Sequence, residues 1–377
     1  MTRVAVLGDG VTASAIRWFV GQCSHYELSD VPEADLVVTS PGIPPKNWPN
    51  VPVDIISDIE FAYRVLKKEY HLTFIGVTGT NGKTTVASGI AQALDVDAYG
   101  NIGTPLIRML PPPLETRYAV LELSSYQLYS SPTLHCDIAI ILNVEPDHLE
   151  WHGTFDAYKQ AKKCIVKSRN QRLYVPKTMA VELNEHSDVQ IIEHLTAPNW
   201  PQFNGPHNQL NAAVIQDVAM HCGASKVLVN DRMKRYALPK FRCEPIASPF
   251  PMTIINDSKA TNPSATLAAI SSTPGDKVLI LSGEPKFDYD ADWMREILSN
   301  CKVVYATGGL SQNRHVFPEE FWPQLVFYSH LKDAVLDALK HAVGGTLLFS
   351  PSAASFDEFS NYMERGHAFN AYINRAI

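Results

Sequence analysis

The octapeptide Thr78–Thr85, TGTNGKTT, directly follows the apolar run His71-Leu-Thr-Phe-Ile-Gly-Val77. A buried strand that empties through a glycine-rich turn into Lys-Thr at a helix start is suited to holding phosphate. The backbone N–H groups of the turn and the helix N-terminus face the anion, Lys83 adds a point charge, and Thr84 offers a hydroxyl to Mg²⁺. Gly79, Thr80, Asn81, Gly82 and Thr85 complete the cradle. The strict spacing asks for glycine five residues before Gly82. Val77 stands there instead, with Gly76 one place early and Gly79 in between. A glycine-bearing corner with no ligand is the plainer alternative, but Gly-Lys-Thr after a strand outweighs it. The expected ligand is ATP.

A chain of 377 residues holds two or three domains, each large enough for its own core. A net charge of -7 argues against a general nucleic-acid binder, while leaving room for a local basic pocket. The six cysteines are scattered with no CxxC pair, a pattern of free thiols in a reducing compartment. The N-terminus enters a strand at once, so no secretory signal is expected, and no apolar stretch is long enough to span a bilayer. The expectation is a cytoplasmic protein with no membrane and no nucleic-acid partner.

Arg3 to Leu7 is β-branched and apolar, and runs into Gly8-Asp-Gly10-Val-Thr-Ala13 and an apolar helix. This G-x-G-x-x-A turn, with an acidic residue near Asp30, is a minimal dinucleotide fingerprint. It reads equally as a nucleotide-sugar site or a structural corner. Further strands are expected at Ala34–Thr39, Tyr118–Leu121, Ile138–Leu142, Thr253–Ile255, Lys277–Leu281, Val303–Ala306 and Thr346–Phe349. Helices are expected over about 58–68 and 154–167, around Asn208 and Asn211, and at the end of the chain. A break falls near Leu238-Pro239. The fold class is α/β, with three consecutive α/β domains: a short Rossmann-like domain (1–69), a P-loop-type central domain (70–237) and a Rossmann-like C-terminal domain (238–377).

Glu122 closes an apolar strand in ELSSYQL, where a carboxylate is costly to bury unless it is paired or metal-bound. Its alternative role is helix capping, which Ser124 or Ser125 could also perform. His148, in LNVEPDHLEWH, follows another strand end aimed at the same sheet edge as the phosphate loop. Lys162, in AYKQAKK, reads by itself as part of a solvated helix face. TIINDSKATN, SGEPK and SPSAASFDEF, carrying Asp257, Lys259, Thr261, Lys286 and Ser355, each follow a strand of the last domain and so converge at one sheet end.

TGTNGKTT, GNIGTP, ELSSYQL, LNVEPDHLEWH, AYKQAK, GPHNQLN, INDSKATN and SPSAASFDEF resemble, in order and spacing, the motifs of the Mur ligases. The resemblance covers nearly the whole chain and is weakest over residues 20–40 and 168–200. It implies an ATP-dependent ligase of peptidoglycan precursor synthesis, a monomer that adds D-glutamate to UDP-N-acetylmuramoyl-L-alanine through an acyl phosphate, releasing ADP and phosphate. It implies two Mg²⁺ ions held by Thr84, Glu122, His148 and a carbamylated Lys162. It gives Lys83, Glu122, His148, Lys162 and Lys286 the catalytic roles. ATP also falls to Asn208, Asn211, Arg242, Asp257 and Lys259. The UDP-sugar falls to Val11, Thr12, Gly42 and Asn101, and D-glutamate to Lys286, Thr261, Ser355 and Tyr362. Tyr362 stands where the family commonly has Phe. LPKFRCE departs from the usual His-Arg pair, and the loop that flanks the uracil is largely missing around Tyr26–Asp35.

Three other functions compete. Another Mur ligase or a folylpolyglutamate synthase-like enzyme conflicts with NDSKATN. A nucleotide-binding scaffold without turnover fits the short first domain and Val77, yet every metal and phosphate residue is present. An NAD-dependent dehydrogenase built on Gly8–Ala13 leaves the phosphate loop without a purpose.

Overall fold

A computed structural model describes every residue except Leu114, Asn184, Pro249 and Ile377. Among the described residues, sixteen strands form three sheets. The first contains β1 (Thr2–Leu7), β2 (Tyr26–Leu28), β3 (Leu36–Thr39) and β4 (Ile55–Ser57), all parallel, in the order β2-β1-β3-β4. The second contains β5 (Thr73–Thr78), β6 (Ala98–Gly100), β7 (Tyr118–Glu122), β8 (Ile138–Ile141), β9 (Arg172–Val175) and β10 (Asp188–Ile191), all parallel, in the order β10-β9-β8-β5-β7-β6. The third contains β11 (Glu244–Ile246), β12 (Thr253–Asn256), β13 (Lys277–Ser282), β14 (Val303–Thr307), β15 (Leu325–Tyr328) and β16 (Thr346–Ser352), in the order β11-β12-β16-β13-β14-β15. Of these strands only β11 runs antiparallel, on the edge beside β12.

The apolar runs that mark these strands are buried on both faces, as parallel sheets sandwiched by helices require. All six residues of β13, KVLILS, and all seven of β16, TLLFSPS, are buried. The architecture is therefore the α/β one of three successive sheets. Helix Phe155–Lys163 stops short of the expected Lys167. The side chain of Gln171 replaces the missing turn: its Nε2 donates to Ile165 O at 3.0 Å, and its Oε1 accepts the Lys167 N–H at 3.0 Å. Both groups would otherwise have been helix-terminal orphans.

The chain divides into two compact units, 1–203 with 208–236, and 204–207 with 237–377. In the first unit, one continuous core joins the first two sheets, running from Val4, Ile16 and Ile56 through Ile59, Phe61 and Leu66 to Phe74, Leu121 and Ile141. Helix Asp58–Glu69 is the joint. Its Glu60, fully buried, accepts the Thr133 and Leu134 N–H groups at 3.1 and 2.8 Å and the Arg64 guanidinium at 2.7 Å. In the second unit, apolar clusters cover both faces of the third sheet. Among the described residues, no helix is long and apolar enough to cross a membrane.

Candidate active site

The phosphate loop leaves β5 at Thr78 and enters helix Lys83–Leu94 with its two glycines in backbone that other residues resist. Gly79 has φ 152° and Gly82 φ 88°. A Cβ at Gly82 would lie 2.9 Å from Asn211 Oδ1 and 3.1 Å from Leu142. The loop is bonded to the exit of β8. Asn81 N–H donates to Asn143 Oδ1 at 2.8 Å, Asn143 Nδ2 returns a bond to Asn81 O at 3.1 Å, and Thr80 N–H donates to Asn143 O at 3.0 Å. Thr80 Oγ1 lies 3.0 Å from the Tyr158 hydroxyl and accepts the Glu145 N–H at 2.9 Å. Thr85 is buried, and its carbonyl accepts from Tyr236 Oη at 3.0 Å. The turn is a fixed template, which is what a phosphate cradle needs.

Two lysines converge on this turn. Lys83 Nζ and Lys162 Nζ each donate to the Gly79 carbonyl at 2.8 Å, and Lys83 also reaches Thr80 O at 2.8 Å. Lys162 does not lie on a solvated helix face. Its side chain is 1% exposed and sits 4.5 Å above the Tyr158 ring. Burial, and then the charge of Lys83, push its pKa well below the ordinary lysine value, against the opposing pull of Asp147 and Glu122. Losing its proton therefore costs this amine less than it costs an exposed lysine.

Glu122, 2% exposed, ends β7. It does not cap the following helix; Ser124 does, accepting the Gln127 N–H at 3.2 Å within a full capping box. One carboxylate oxygen, Oε1, accepts from Asn101 Nδ2 at 2.9 Å, while Oε2 is buried with no hydrogen-bond partner. A half-satisfied buried carboxylate is costly unless something positive meets it. His148 begins the short helix Leu149–His152 at φ 57°, with Nε2 3.7 Å from Asp147 and Nδ1 3.6 Å from Glu150. Among the described residues, no cluster of three or more His, Cys, Asp or Glu could hold a metal unaided.

Sequence reasoning singled out His148 and missed His152, one helical turn on. Nε2 of His152 lies 2.9 Å from Ser125 Oγ, and its ring stacks on Tyr126 and meets Trp151 and Tyr158. Burial, with His148 and Lys162 nearby, pushes its pKa down to about 4. Four-residue spacing of two histidines was the available signal. In the first sheet, Gly8 (φ 97°) turns the chain into helix Val11–Val20, and a Cβ there would lie 2.6 Å from Ser40 Oγ. Val11 and Gly42 are exposed and Thr12 is half-buried beside that turn. Asn101 is exposed, and its side chain is engaged with Glu122. Asn208 and Asn211 begin helix Pro206–His221, 3.4 Å apart.

In the second unit, Asp257 to Thr261 follow β12, Lys286 follows β13, and Ser355 follows β16. All three loops meet at a residue that sequence reasoning overlooked. Arg365, fully buried, donates from Nη1 to Ser282 O (2.7 Å), Ala353 O (3.1 Å) and Ala354 O (3.2 Å). It also donates from Nη2 to Ser258 O (2.9 Å) and from Nε to Ser258 Oγ (3.2 Å). Burial pushes its pKa down to about 9, so the guanidinium stays charged at neutral pH. No sequence signal distinguishes it, because an arginine within a helix ordinarily reads as solvated. Asp257 is buried and accepts from Ser350 Oγ at 2.9 Å, and burial pushes its pKa up to about 7. Lys259 Nζ lies 3.8 Å over the ring of Tyr362, so the phenol keeps the packing role expected of a phenyl group.

A glycine-turn phosphate cradle at the carboxyl edge of a parallel sheet, beside a buried lysine and a half-paired glutamate, defines a phosphate-loop α/β protein. A family profile described as the Mur ligase middle domain matches residues 77–196. UDP-N-acetylmuramoylalanine–D-glutamate ligase of Zymomonas mobilis is 33% identical over 92% of this chain and 84% of its own length. The protein of the same name from Protochlamydia amoebophila is 31% identical over 92% and 85%. The MurF ligase of Thermotoga maritima, solved with ADP, superposes with a TM-score of 0.67 at 15% identity, over 99% of this chain and 95% of that one. The chain belongs to the Mur ligase family.

Proposed function

We propose that this protein is an ADP-forming ligase that joins D-glutamate to UDP-N-acetylmuramoyl-L-alanine, a step in making the peptidoglycan precursor. Relatives bearing that activity in their names, at about a third identity over nine-tenths of the chain, support the assignment. The structural observation that carries it is the buried Lys162 amine on the Gly79 carbonyl, in the same turn as Lys83. Residues 1–69 are assigned to the UDP-sugar through Val11, Thr12, Gly42 and Asn101, and 70–237 to the phosphates. Residues 238–377 are assigned to the amino acid through Thr261, Lys286, Ser355 and Tyr362, with Arg242, Asp257 and Lys259 assigned to the nucleotide.

An amine does not attack a carboxylate, because oxide is a hopeless leaving group. Moving the γ-phosphoryl of ATP onto the alanyl carboxylate gives an acyl phosphate, which the D-glutamate amine can attack with loss of phosphate. Gly79 to Thr85 and Lys83 hold and neutralise the phosphates, so positioning and charge supply most of the rate. Lys286 neutralises the incoming amino acid. The residues suit magnesium. Oε2 of Glu122 is a buried carboxylate oxygen with no hydrogen-bond partner, and the Lys162 amine, once it has lost its proton, can add to CO₂, releasing a further proton and becoming a carbamate with carboxylate-like oxygens. Thr84, Glu122, His148 and that carbamate would hold two Mg²⁺ ions, which supply electrostatic relief between the reacting anions.

The test is incubation with ATP, Mg²⁺, UDP-N-acetylmuramoyl-L-alanine and single amino acids. Phosphate release is expected with D-glutamate. Release with L-alanine or a folate in its place, or with none of them, refutes the proposal.

A further inference from the structure

Arg242 is bracketed by two residues in left-handed backbone, Phe241 at φ 61° and Cys243 at φ 45°. For side chains of this bulk such backbone is strained, and it persists only where its surroundings over-determine it. Here they do. Phe241 N–H donates to Glu244 Oε2 at 2.9 Å, Phe241 O accepts the Lys259 N–H at 3.0 Å, and Cys243 N–H donates to Asp257 Oδ1 at 3.0 Å. The Phe241 ring, 2% exposed, lies flush on helix Tyr362–Arg375 at Gly366, where an added Cβ would come within 2.5 Å of the ring. His367 meets the same ring edge-on, with centroids 4.9 Å apart at 84°. A glycine inside a helix weakens it, so its presence here is explained by this close approach.

We propose that Phe241, Cys243 and Gly366 are positioning residues that fix the backbone from which Arg242 meets the nucleotide, with the Phe241 ring seated on Gly366 as the locating contact. This deepens the function proposed above and rests on the assignment of Arg242 to ATP. A guanidinium on a long stem loses much freedom when it engages a ligand. Fixing its backbone beforehand removes part of that loss. The Phe of LPKFRCE, unusual for the family, thereby acquires a purpose: an apolar ring is what a bare glycine surface and the edge of His367 can seat.

The test measures initial rates against ATP, and separately against acceptor and D-glutamate, with a melting temperature for every variant. Gly366→Ala and Phe241→Ala should each raise KM for ATP roughly tenfold or more, leaving KM for the other two substrates within about twofold. Phe241→His, which keeps a ring on the glycine, should keep KM for ATP within about threefold of the parent. Cys243→Gly relieves strain and adds no atoms that could clash, and it should raise KM for ATP a few fold by freeing the backbone. It reports on the proposal even where Gly366→Ala does not fold. Arg242→Ala separates the two layers. If it leaves ATP kinetics unchanged, the assignment of Arg242 to the nucleotide fails. If it cripples them while Phe241→Ala and Cys243→Gly do not move KM for ATP, the positioning role is overturned.

Discussion

Asp58 should weaken the folded protein at neutral pH, and replacing it with asparagine should strengthen it. Asp58 opens helix Asp58–Glu69, is 3% exposed, and has Gln127 Nε2 at 3.3 Å from both carboxylate oxygens. Burial outweighs that amide and raises its pKa from 3.8 to about 6. An acid whose pKa rises on folding stabilises the fold while protonated, fully so below the unfolded value, and loses that contribution as pH climbs through the folded one. A gap of about two pKa units corresponds to about 3 kcal/mol, of which about 2 kcal/mol develops between pH 4.5 and 7.5. An asparagine side chain in its place carries no such dependence and still offers Gln127 an acceptor. The assay is urea unfolding of parent and Asp58→Asn at both pH values, followed by tryptophan fluorescence. The advantage of the variant should grow by about 2 kcal/mol from the lower to the higher pH. A difference between the two proteins that stays constant with pH, or shrinks as pH rises, refutes the reasoning.

Other consequences concern turnover more directly. Lys83→Ala removes a charge from the transferring phosphoryl group and should lower ADP release by a factor of about 10² or more; near-parental rates would exclude that role. Lys162→Ala should be inactive and regain part of its activity when formate or acetate is added to the assay, because a small carboxylate can replace the carbamate. Failure of every such acid to restore turnover would count against the modification. Arg365→Met strips the donors from four backbone carbonyls and should cost about 3–5 kcal/mol in unfolding, with Arg365→Lys recovering only part and showing a raised KM for D-glutamate. Unchanged urea midpoints in both variants would show that the guanidinium does not clamp the loops.

Local features were legible before the structure, and those made by distant neighbours were not. The phosphate loop is written in eight consecutive residues whose conformational demands are their own. The central strands of the three sheets were likewise visible as apolar runs, whereas the short or outer β2, β4, β6, β9, β10 and β15 were not singled out. β11 escaped notice because Pro245 sits at its centre, and a proline breaks the strand pattern except on an edge, where no ladder bond is asked of its nitrogen. Lys162 could be named through the family likeness, but its lowered pKa could not, because it arises from burial and the charge of Lys83, which a 3.6-residue period does not reveal. The unpaired oxygen of Glu122 and the five-bond fan of Arg365 are likewise properties of assembled loops, with no counterpart along the chain.

Because the first two sheets share a single core, the glycine corner at Gly8 and the phosphate loop at Gly79 are mounted on one solid piece. An acceptor gripped at both ends, as proposed above, would be measured against a span set by that shared core. An acceptor one residue too long or too short would present its carboxylate at the wrong mark. On that assignment, such a built-in ruler would let a small first domain discriminate by length, with little need to recognise every group in between.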